Sequence, residues 1–302
     1  MTAPVSRLEA LGLSPQEPGK GKNLWSCIGD LIACADSSVM AILDCDTLTG
    51  DSEMLARLIH PVANPNFPYQ MSKGFYPRLD DKTLNGRVTR LLVSPLLIAL
   101  EKVAGDHDFL DFLRSVRYPP SGEFALRTPS LPDRRIPSDW GLEIGVLSEG
   151  RRTLALHSVC RVEIVDTHDH KHQDLLPEDA NKGLSRMSTA ICKAIVRKLA
   201  ADGTVFTPNM FRTLKATSYR LALDLPESCS NDVRMNGLTV DRHKEERSAE
   251  LFAETIIRAG QIFLEHANES PFIPTRNRVH ATDPRFLCDL CRAVAEDAAE
   301  FS

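Results

Sequence analysis

The sequence lacks the features that mark a membrane protein, a disordered chain or a nucleic-acid coat protein. The most apolar run among its 302 residues is Leu91 to Leu100, and ten residues that include Pro95 are too short to span a bilayer. Lys and Arg number 36 against 41 Asp and Glu, so no positive excess is present to replace counterions along nucleic acid. With 42% hydrophobic and 25% charged residues, the composition is typical of one or two globular domains.

A secretory signal and a disulfide framework are missing as well. The opening segment MTAPVSRLEALGL has no apolar stretch of the kind that a signal peptide needs, so we expect a cytoplasmic protein. The eight cysteines are scattered, and Cys27, Cys34 and Cys192 lie among apolar residues of predicted helices. We interpret these three as reduced, buried thiols, and the Cys288/Cys291 pair in a helical pattern as core packing.

The first half of the chain alternates between helical and strand patterns. Helices are predicted at Asn23–Ala35, from a cap at Asp51 to about His60, from Gly86 towards Val103 with a bend at Pro95, and from a cap at Asp139 through Leu147. Strands are predicted at Val39–Leu43, Tyr69–Tyr76, Glu123–Leu126 and Arg161–Asp166. This order, with a buried strand that does not alternate, predicts an α/β sheet with parallel members.

Helical periodicity dominates the second half. The predicted helices are Gly183–Ala201, Pro208–Leu225, His243–Glu265 and Asp283–Phe301. The chain therefore divides into an α/β body, residues 1–176, and an all-helical region, residues 177–302.

Two carboxylates follow the first predicted strand. Asp44 and Asp46, separated by Cys45, come at the carboxyl end of a strand, where open α/β sheets bind their ligands. Two hard oxygen ligands suit Mg²⁺ or Mn²⁺ bridging a diphosphate. The same tripeptide is also compatible with a loop that merely leads into the next helix.

Two short segments have the composition of anion-binding loops. Gly19-Lys20-Gly21-Lys22 precedes a helix, and glycines with lysines at a helix start favour a phosphate, although the segment does not match the Walker A motif. Gly86-Arg87-Val88-Thr89 opens another helix, and its arginine and hydroxyl would hold a phosphate or a carboxylate. Each segment is equally compatible with a plain surface loop or helix start.

Histidines and an aromatic residue complete the candidates. His168, His170 and His172 alternate, so an extended backbone would place them on one side as a zinc site, or one of them would join the Asp pair on a single metal. A polar surface loop explains the run equally well. Trp140 and Glu143 could hold a sugar by stacking and hydroxyl bonding, or could lie unused on a helix surface.

Taken together and in this order, these segments resemble the glucosyl-3-phosphoglycerate synthases, retaining glycosyltransferases of the GT-A type. The matching stretches are PGKGKNLW, AILDCDTLT, KGFYPRL, LNGRVTRLLVSPLL, SGEFALR, RIPSDWGLEIGVLSE, DHKHQDL, GLSRMS, FRTLKATSYRLALDL and PFIPTRNRV. They extend over nearly the whole chain. The resemblance implies a GT-A catalytic domain over residues 1–176 and a helical region over 177–302 that takes part in a homodimer.

The resemblance also implies an activity and assigns residues to it. Members transfer glucose from a nucleotide donor, usually UDP-glucose, to D-3-phosphoglycerate with Mg²⁺ or Mn²⁺, and the product serves the synthesis of glucosylglycerate, a compatible solute. The implied metal ligands are Asp46 and His170. The implied donor-binding residues are Lys20, Asp44, Cys45, Asp46, Trp140 and Glu143. The implied acceptor-binding residues are Gly86, Arg87, Val88, Thr89, His168 and His172. No nucleophile is assigned, because in a retaining transfer the leaving phosphate can accept the proton of the acceptor.

One departure from the family pattern leads to a further expectation. Members have a strand with a nucleotide-binding loop and further βα elements before the GKG loop, whereas here that loop begins at Gly19. We therefore expect an N-terminally truncated sheet and an incomplete uridine site. If this is the whole polypeptide, we also expect an exposed apolar sheet edge, poor solubility and weak or no activity. The alternatives are a related transferase with another donor or acceptor, such as a mannosyltransferase using GDP-mannose, an impaired fragment, and a non-catalytic metal-binding module.

Overall fold

The computed structural model describes residues 2–13, 20–34, 36–48, 50–80, 83–166, 183–269 and 272–300. Within them, eight strands form one sheet of four strands and two small two-stranded sheets. The strands are β1 (Val39–Ile42), β2 (Met71–Phe75), β3 (Leu79–Asp80), β4 (Thr83–Leu84), β5 (Phe124–Arg127), β6 (Ile136–Pro137), β7 (Val159–Glu163) and β8 (Phe272–Ile273).

The four-stranded sheet has the order β1-β5-β2-β7. β2 and β7 pair in parallel, whereas β5 runs antiparallel to both of its neighbours, with Ala125 opposite Ala41 on one side and Ser72 on the other. The sequence predicted parallel strands. The sheet contains one parallel pair, β2 and β7, and two antiparallel pairs, so it is mixed. An apolar sequence pattern can predict that a strand is buried on both faces, but it does not indicate whether the strand runs parallel or antiparallel to its neighbours.

The described residues also form eleven α-helices. They are α1 (Thr2–Ala10), α2 (Lys20–Cys34), α3 (Ser52–Ala63), α4 (Ser94–Ala104), α5 (Asp108–Ser115), α6 (Leu142–Thr153), α7 (Gly183–Ala201), α8 (Pro208–Met235), α9 (Arg242–Glu265), α10 (Arg276–Thr282) and α11 (Phe286–Glu300). No helix in this part of the chain combines the length and the apolarity that crossing a bilayer requires.

Local sequence explains where several helices begin. Asp51 caps α3 as predicted, because its side chain accepts a hydrogen bond from Met54 N at 2.8 Å. Pro95 lies in the first turn of α4, where its missing N–H is tolerated, and the preceding residues Val88–Val93 form a π-helical turn instead of the simple bend expected at Pro95.

Other predicted helix boundaries need correction. Asp139 does not cap α6: its carboxylate accepts from Gly141 N at 3.0 Å in a turn, and the helix begins at Leu142. α8 continues to Met235, ten residues beyond the predicted end at Leu225. The single helix predicted from Asp283 is preceded by the separate helix α10 and begins at Phe286.

The second half of the chain is packed onto the first half rather than standing apart from it. It is not all-helical as predicted, because β8 within it pairs antiparallel with β6 of the first half. α8 and α9 contact α4, α7 and the π-helical turn, and α11 packs against α2. One cluster of buried apolar side chains accordingly runs from Trp25 through Leu96 to Phe252 and Phe286. Residues 177–182, at the predicted boundary, lie outside the described residues, so the division at 176/177 stays a prediction.

The interpretation of the cysteines was partly wrong. Cys192 is buried as expected, whereas Cys27, Cys34 and Cys288 are exposed and Cys291 is half-buried. The helical pattern around these residues was correct, but the flanking apolar residues do not tell on which side of the helix each thiol lies.

Candidate functional site

A cavity of about 890 Å³ opens beside the carboxyl end of β1. It is lined by residues from β1 and the loop after it, from the start of α2, from the turn before α4, and from the first turns of α6 and α7. The sequence-predicted site residues that line it are Lys20, Asp44, Cys45, Asp46, Gly86, Arg87, Val88, Trp140 and Glu143. Residues distant in the sequence therefore share one concave surface of a size suited to a small-molecule ligand.

Lys20 joins two carboxylates on one side of this cavity. Its Nζ donates to Glu143 Oε1 at 2.9 Å and also to Asp44 Oδ1. Burial by itself would lower the pKa of Lys20, but the charges of Glu143 and Asp44 outweigh it and hold that pKa above its ordinary value. Burial raises the pKa of Glu143, against the effect of Lys20. The group thus keeps one positive charge between two acids at the edge of the cavity.

Two glycines allow this arrangement by leaving room for other atoms. A Cβ on Gly21 would overlap the carbonyl oxygen of Pro137, so the helix that begins at Lys20 can approach β6 only with glycine there. A Cβ on Gly122 would overlap the carboxylate of Asp44 in the same way.

A buried lysine fixes the segment that contains Gly122. Lys73 on β2 is 1% exposed, and its Nζ donates to the carbonyl and to the hydroxyl oxygen of Ser121. The Ser121 hydroxyl in turn donates to Gly74 O at 2.9 Å. Burial lowers the pKa of Lys73 to about 8, and the charge of Glu123 counteracts part of that effect. The lysine therefore ties the Ser121–Gly122 turn to the central strand.

Another part of the cavity wall is a turn that is held in place by the helical second half. Gly86 adopts a φ of +77°, a conformation that favours glycine, and its carbonyl accepts from Arg90 N at 3.1 Å. Arg90 also donates two hydrogen bonds, of 2.8 and 2.7 Å, to the buried carboxylate of Glu245 on α9. Arg87 donates to Ser248 Oγ at 3.1 Å, also on α9. α9 thus orients the start of the π-helical turn.

The sequence reasoning assigned no role to three side chains that the structure places in the cavity wall. Tyr76 donates to Glu123 Oε2 at 2.8 Å, and Arg78 donates to the Tyr118 hydroxyl at 2.6 Å. The rings of Tyr76 and Tyr118 meet edge to face, with 5.4 Å between their centroids. Tyr76 and Arg78 belong to the stretch KGFYPRL, which contains the end of β2. Their position directly after a strand is the sequence signal that could have identified them as cavity residues.

Several predicted site residues are not brought together by the described structure. Thr89 lies in the π-helical turn but does not line the cavity. His168, His170 and His172 fall in residues 167–182, outside the described residues, so their assignment to the metal and the acceptor stays a prediction. The first turn of α7, which follows these residues, also lines the cavity with Leu184, Arg186 and Met187.

Asp46 presents its carboxylate in the wall of the cavity. Its side chain is exposed in the cavity wall and makes no hydrogen bond or ion pair within the described part of the chain. A carboxylate oxygen beside a ligand cavity fits Mg²⁺ or Mn²⁺, which favour oxygen ligands and retain places for phosphate oxygens. Asp44, by contrast, is already paired with Lys20.

Two proteins to which this chain is similar in sequence carry the same name. The chain is 38% identical over 293 residues to the glucosyl-3-phosphoglycerate synthase of Persephonella marina, a match that covers 97% of this chain and 72% of the relative. It is 32% identical over 287 residues to the enzyme of the same name from Methanococcoides burtonii, covering 94% of this chain and 69% of that one. The comparison with protein-family models gave no match.

A solved structure bears on the fold. The crystal structure of mannosyl-3-phosphoglycerate synthase from Rubrobacter xylanophilus aligns with a TM-score of 0.51 at 20% identity. The alignment covers 66% of this chain and 57% of the Rubrobacter chain, so the present chain spans a little over half of that protein. This likeness supports the predicted α/β fold of the GT-A type.

Proposed function

Because the chain belongs to the family of glucosyl-3-phosphoglycerate synthases, we propose that it transfers glucose from UDP-glucose to 3-phosphoglycerate with retention of configuration. The observation that carries the proposal is that one cavity is lined both by Lys20, Asp46 and Glu143 and by the Gly86–Arg87 turn. A sugar nucleotide and a small acceptor with a phosphate and a carboxylate group need such polar residues in one cavity.

In this proposal Asp46 holds a divalent cation, Mg²⁺ or Mn²⁺, together with His170. When bound, the cation would neutralise the charge of the departing diphosphate. Lys20 adds a fixed positive charge to the wall of the same cavity, and Asp44 keeps its ammonium group in place. Cys45 lies between the two acids and lines the cavity, so it contributes contact surface for the nucleotide.

The acceptor is assigned to the turn before α4. Backbone N–H groups at the beginning of a helical segment and the guanidinium of Arg87 suit phosphate and carboxylate groups. Because Gly86 leaves the backbone of this turn accessible and α9 orients Arg87, the acceptor would meet a preformed surface. His168 and His172 belong to the same assignment.

The glucose unit is assigned to the start of α6. Trp140 is 45% exposed although it is a large apolar residue, and it lines the cavity close in sequence to Glu143. An exposed indole offers a stacking surface for a sugar ring, and the Glu143 carboxylate can accept hydrogen bonds from its hydroxyls. The acceptor hydroxyl would pass its proton to the departing phosphate, so no side chain acts as nucleophile.

A product assay tests this function directly. The purified chain is incubated with Mg²⁺, 3-phosphoglycerate and either UDP-glucose or GDP-mannose, and the product is identified by mass and by the configuration of its anomeric centre. We expect glucosyl-3-phosphoglycerate of retained configuration from UDP-glucose. Product from GDP-mannose alone would favour the mannosyltransferase, and no product from any donor, with the protein folded, would contradict the proposal.

Arg87→Lys provides the matched test of the acceptor site. Lysine keeps the charge but loses the planar fork of donors, so we expect the KM for 3-phosphoglycerate to rise about tenfold or more, while the KM for the donor changes little. An equal effect on both substrates would show that the turn before α4 is not the acceptor site.

The assembly and the location form the remaining part of the proposal. We infer a homodimer with a contribution from the helical region 177–302, and a cytoplasmic enzyme, from the family resemblance alone. Light scattering on the purified chain decides between monomer and dimer, and a monomer with full activity would overturn the first of these inferences.

A further inference from the structure

Two helices from opposite ends of the sequence bring three metal-binding side chains together. Asp30 and Cys34 are four residues apart on α2 and so lie on one face of it, and Cys291 reaches them from α11. The sulfur atoms of Cys34 and Cys291 are 3.5 Å apart, and Cys34 Sγ is 3.8 Å from Asp30 Oδ1. Among the described residues, this is the one group of three such side chains whose ligand atoms all lie within 4.8 Å of one another.

We propose that Asp30, Cys34 and Cys291 form a binding site for a thiophilic divalent cation of the Zn²⁺ type. The site is separate from the sugar-transfer cavity, since none of the three residues lines that cavity. It is also independent of the proposed function, because it needs neither donor nor acceptor.

The spacing of the ligands agrees with tetrahedral zinc. With Zn–S bonds of about 2.3 Å, two sulfurs of a tetrahedron lie roughly 3.8 Å apart, and a sulfur and a carboxylate oxygen roughly 3.5 Å apart. The distances found here, 3.5 Å between the sulfurs and 3.8 Å between sulfur and oxygen, differ from these values by a few tenths of an ångström. Rotation of the side chains is enough to close that difference, and water would complete the coordination.

Charge at the cluster also favours a cation. Asp30 forms no ion pair within the described part of the chain, and Asp36 adds a second carboxylate that acts on Cys34.

A metal here would join segments that are far apart in the chain. Cys34 and Cys291 are 257 residues apart, and between their helices Arg276 stacks on Trp25, with 3.5 Å from its guanidinium carbon to the ring centroid. A cation bound to both helices would therefore stabilise the contact of α2 with α11.

The test uses the full chain without an affinity tag, reduced and stripped of metal with a chelator. Co²⁺ serves as the spectroscopic probe and Zn²⁺ as the competing metal. We expect one equivalent of Co²⁺ to produce a thiolate-to-cobalt charge-transfer band that one equivalent of Zn²⁺ abolishes. Because the band reports sulfur ligands, metal taken up by the histidines at 168–172 does not contribute to it. Zn²⁺ at a hundredfold excess over its Kd should raise the Tm by about 5 °C.

Three variants make the outcome specific. Cys291→Ser and Asp30→Asn should lose the band or weaken metal binding at least tenfold, whereas Cys288→Ser, which removes an exposed thiol from the same helix outside the cluster, should keep both. Circular dichroism confirms that each variant is folded. The proposal is overturned if the unaltered chain gives no band, if Cys291→Ser gives the same band, or if the native protein holds a Cys34–Cys291 disulfide and takes up no metal after reduction.

Discussion

Gly122 and Asp44 are in such close contact that a single added carbon atom could not fit between them. A Cβ at position 122 would overlap both oxygens and the carbon of the Asp44 carboxylate. Buried hydrogen bonds from Lys73 on β2 hold Ser121, the residue before Gly122, in place. The position of the first acid after β1, and of Lys20 bonded to it, therefore depends on the absence of a side chain at residue 122.

The first prediction concerns this contact. In Gly122→Ala the Asp44 carboxylate must move, and with it Lys20, so we expect kcat/KM for the donor to fall by about a hundredfold. Steady-state kinetics with the donor varied measure the effect.

Gly50→Ala is the control for this substitution. It adds the same methyl group to the loop after β1, where its nearest contact is a Thr47 side-chain carbon at 3.2 Å that can shift. Equal losses of activity in the two variants would contradict the role assigned to Gly122.

The second prediction concerns the pH dependence of stability. The pKa of Lys73 is about 8 in the folded chain and 10.5 ordinarily, so between these values the unfolded chain binds more protons. The free energy of unfolding should therefore gain a contribution from Lys73 that increases as the pH rises from about 8 to about 10.5, by up to about 3 kcal/mol.

Lys73→Met isolates that contribution. Urea unfolding of both proteins at several pH values gives the difference in their free energies of unfolding, from which other titrating groups cancel. A difference that stays constant from pH 8 to 10.5 would show that Lys73 titrates normally.

The third prediction links α9 to the turn before α4. Glu245→Gln removes the charge from a buried bidentate pair with Arg90 and leaves that arginine without its counterion, so we expect a loss of about 3 kcal/mol in the free energy of unfolding. The KM for 3-phosphoglycerate should rise as well, because Arg90 also binds Asn85 O beside Gly86.

The neighbouring residue offers a matched control. Glu246 pairs with Arg242 in the same helix, but 46% and 74% of these two side chains are exposed. Glu246→Gln should therefore change stability by less than about 0.5 kcal/mol and leave the KM unchanged. Similar destabilisation by both substitutions would refute the prediction.

The fourth prediction concerns the divalent cation. Asp46→Asn should raise the Mg²⁺ or Mn²⁺ concentration needed for half-maximal activity at least tenfold, since the amide is a weaker ligand than the carboxylate that lines the cavity. A metal titration of the transferase activity measures this. Asp106→Asn, an exposed acid between α4 and α5 that does not line the cavity, is the control and should keep the original metal requirement. Activity that survives chelation in the unaltered chain would disprove the prediction.

Much of the local structure followed from the sequence. The Asp51 cap, the strand that begins at Val39 and the helix beginning at Gly183 agree with the predictions, because each depends on hydrogen bonds or side-chain spacing within a few residues. The predicted burial of that strand was wrong, since only Met40 is buried and β1 lies at the edge of the sheet. The candidate residues around Asp44, Gly86 and Trp140 could be named for the same reason: strand ends and helix starts can be recognised locally.

Tertiary packing decided which of these residues meet. Lys20 and Glu143 are 123 residues apart, and Arg90 and Glu245 are 155 apart, so no periodicity within either segment relates them. The antiparallel direction of β5, the burial of Lys73 and the approach of Cys34 to Cys291 arise likewise from contacts between distant segments. The sequence by itself determined helices, strands and the chemistry available at their ends. The shared cavity and the paired thiols exist only because the folded chain buries its apolar faces together and so brings those ends to the same places.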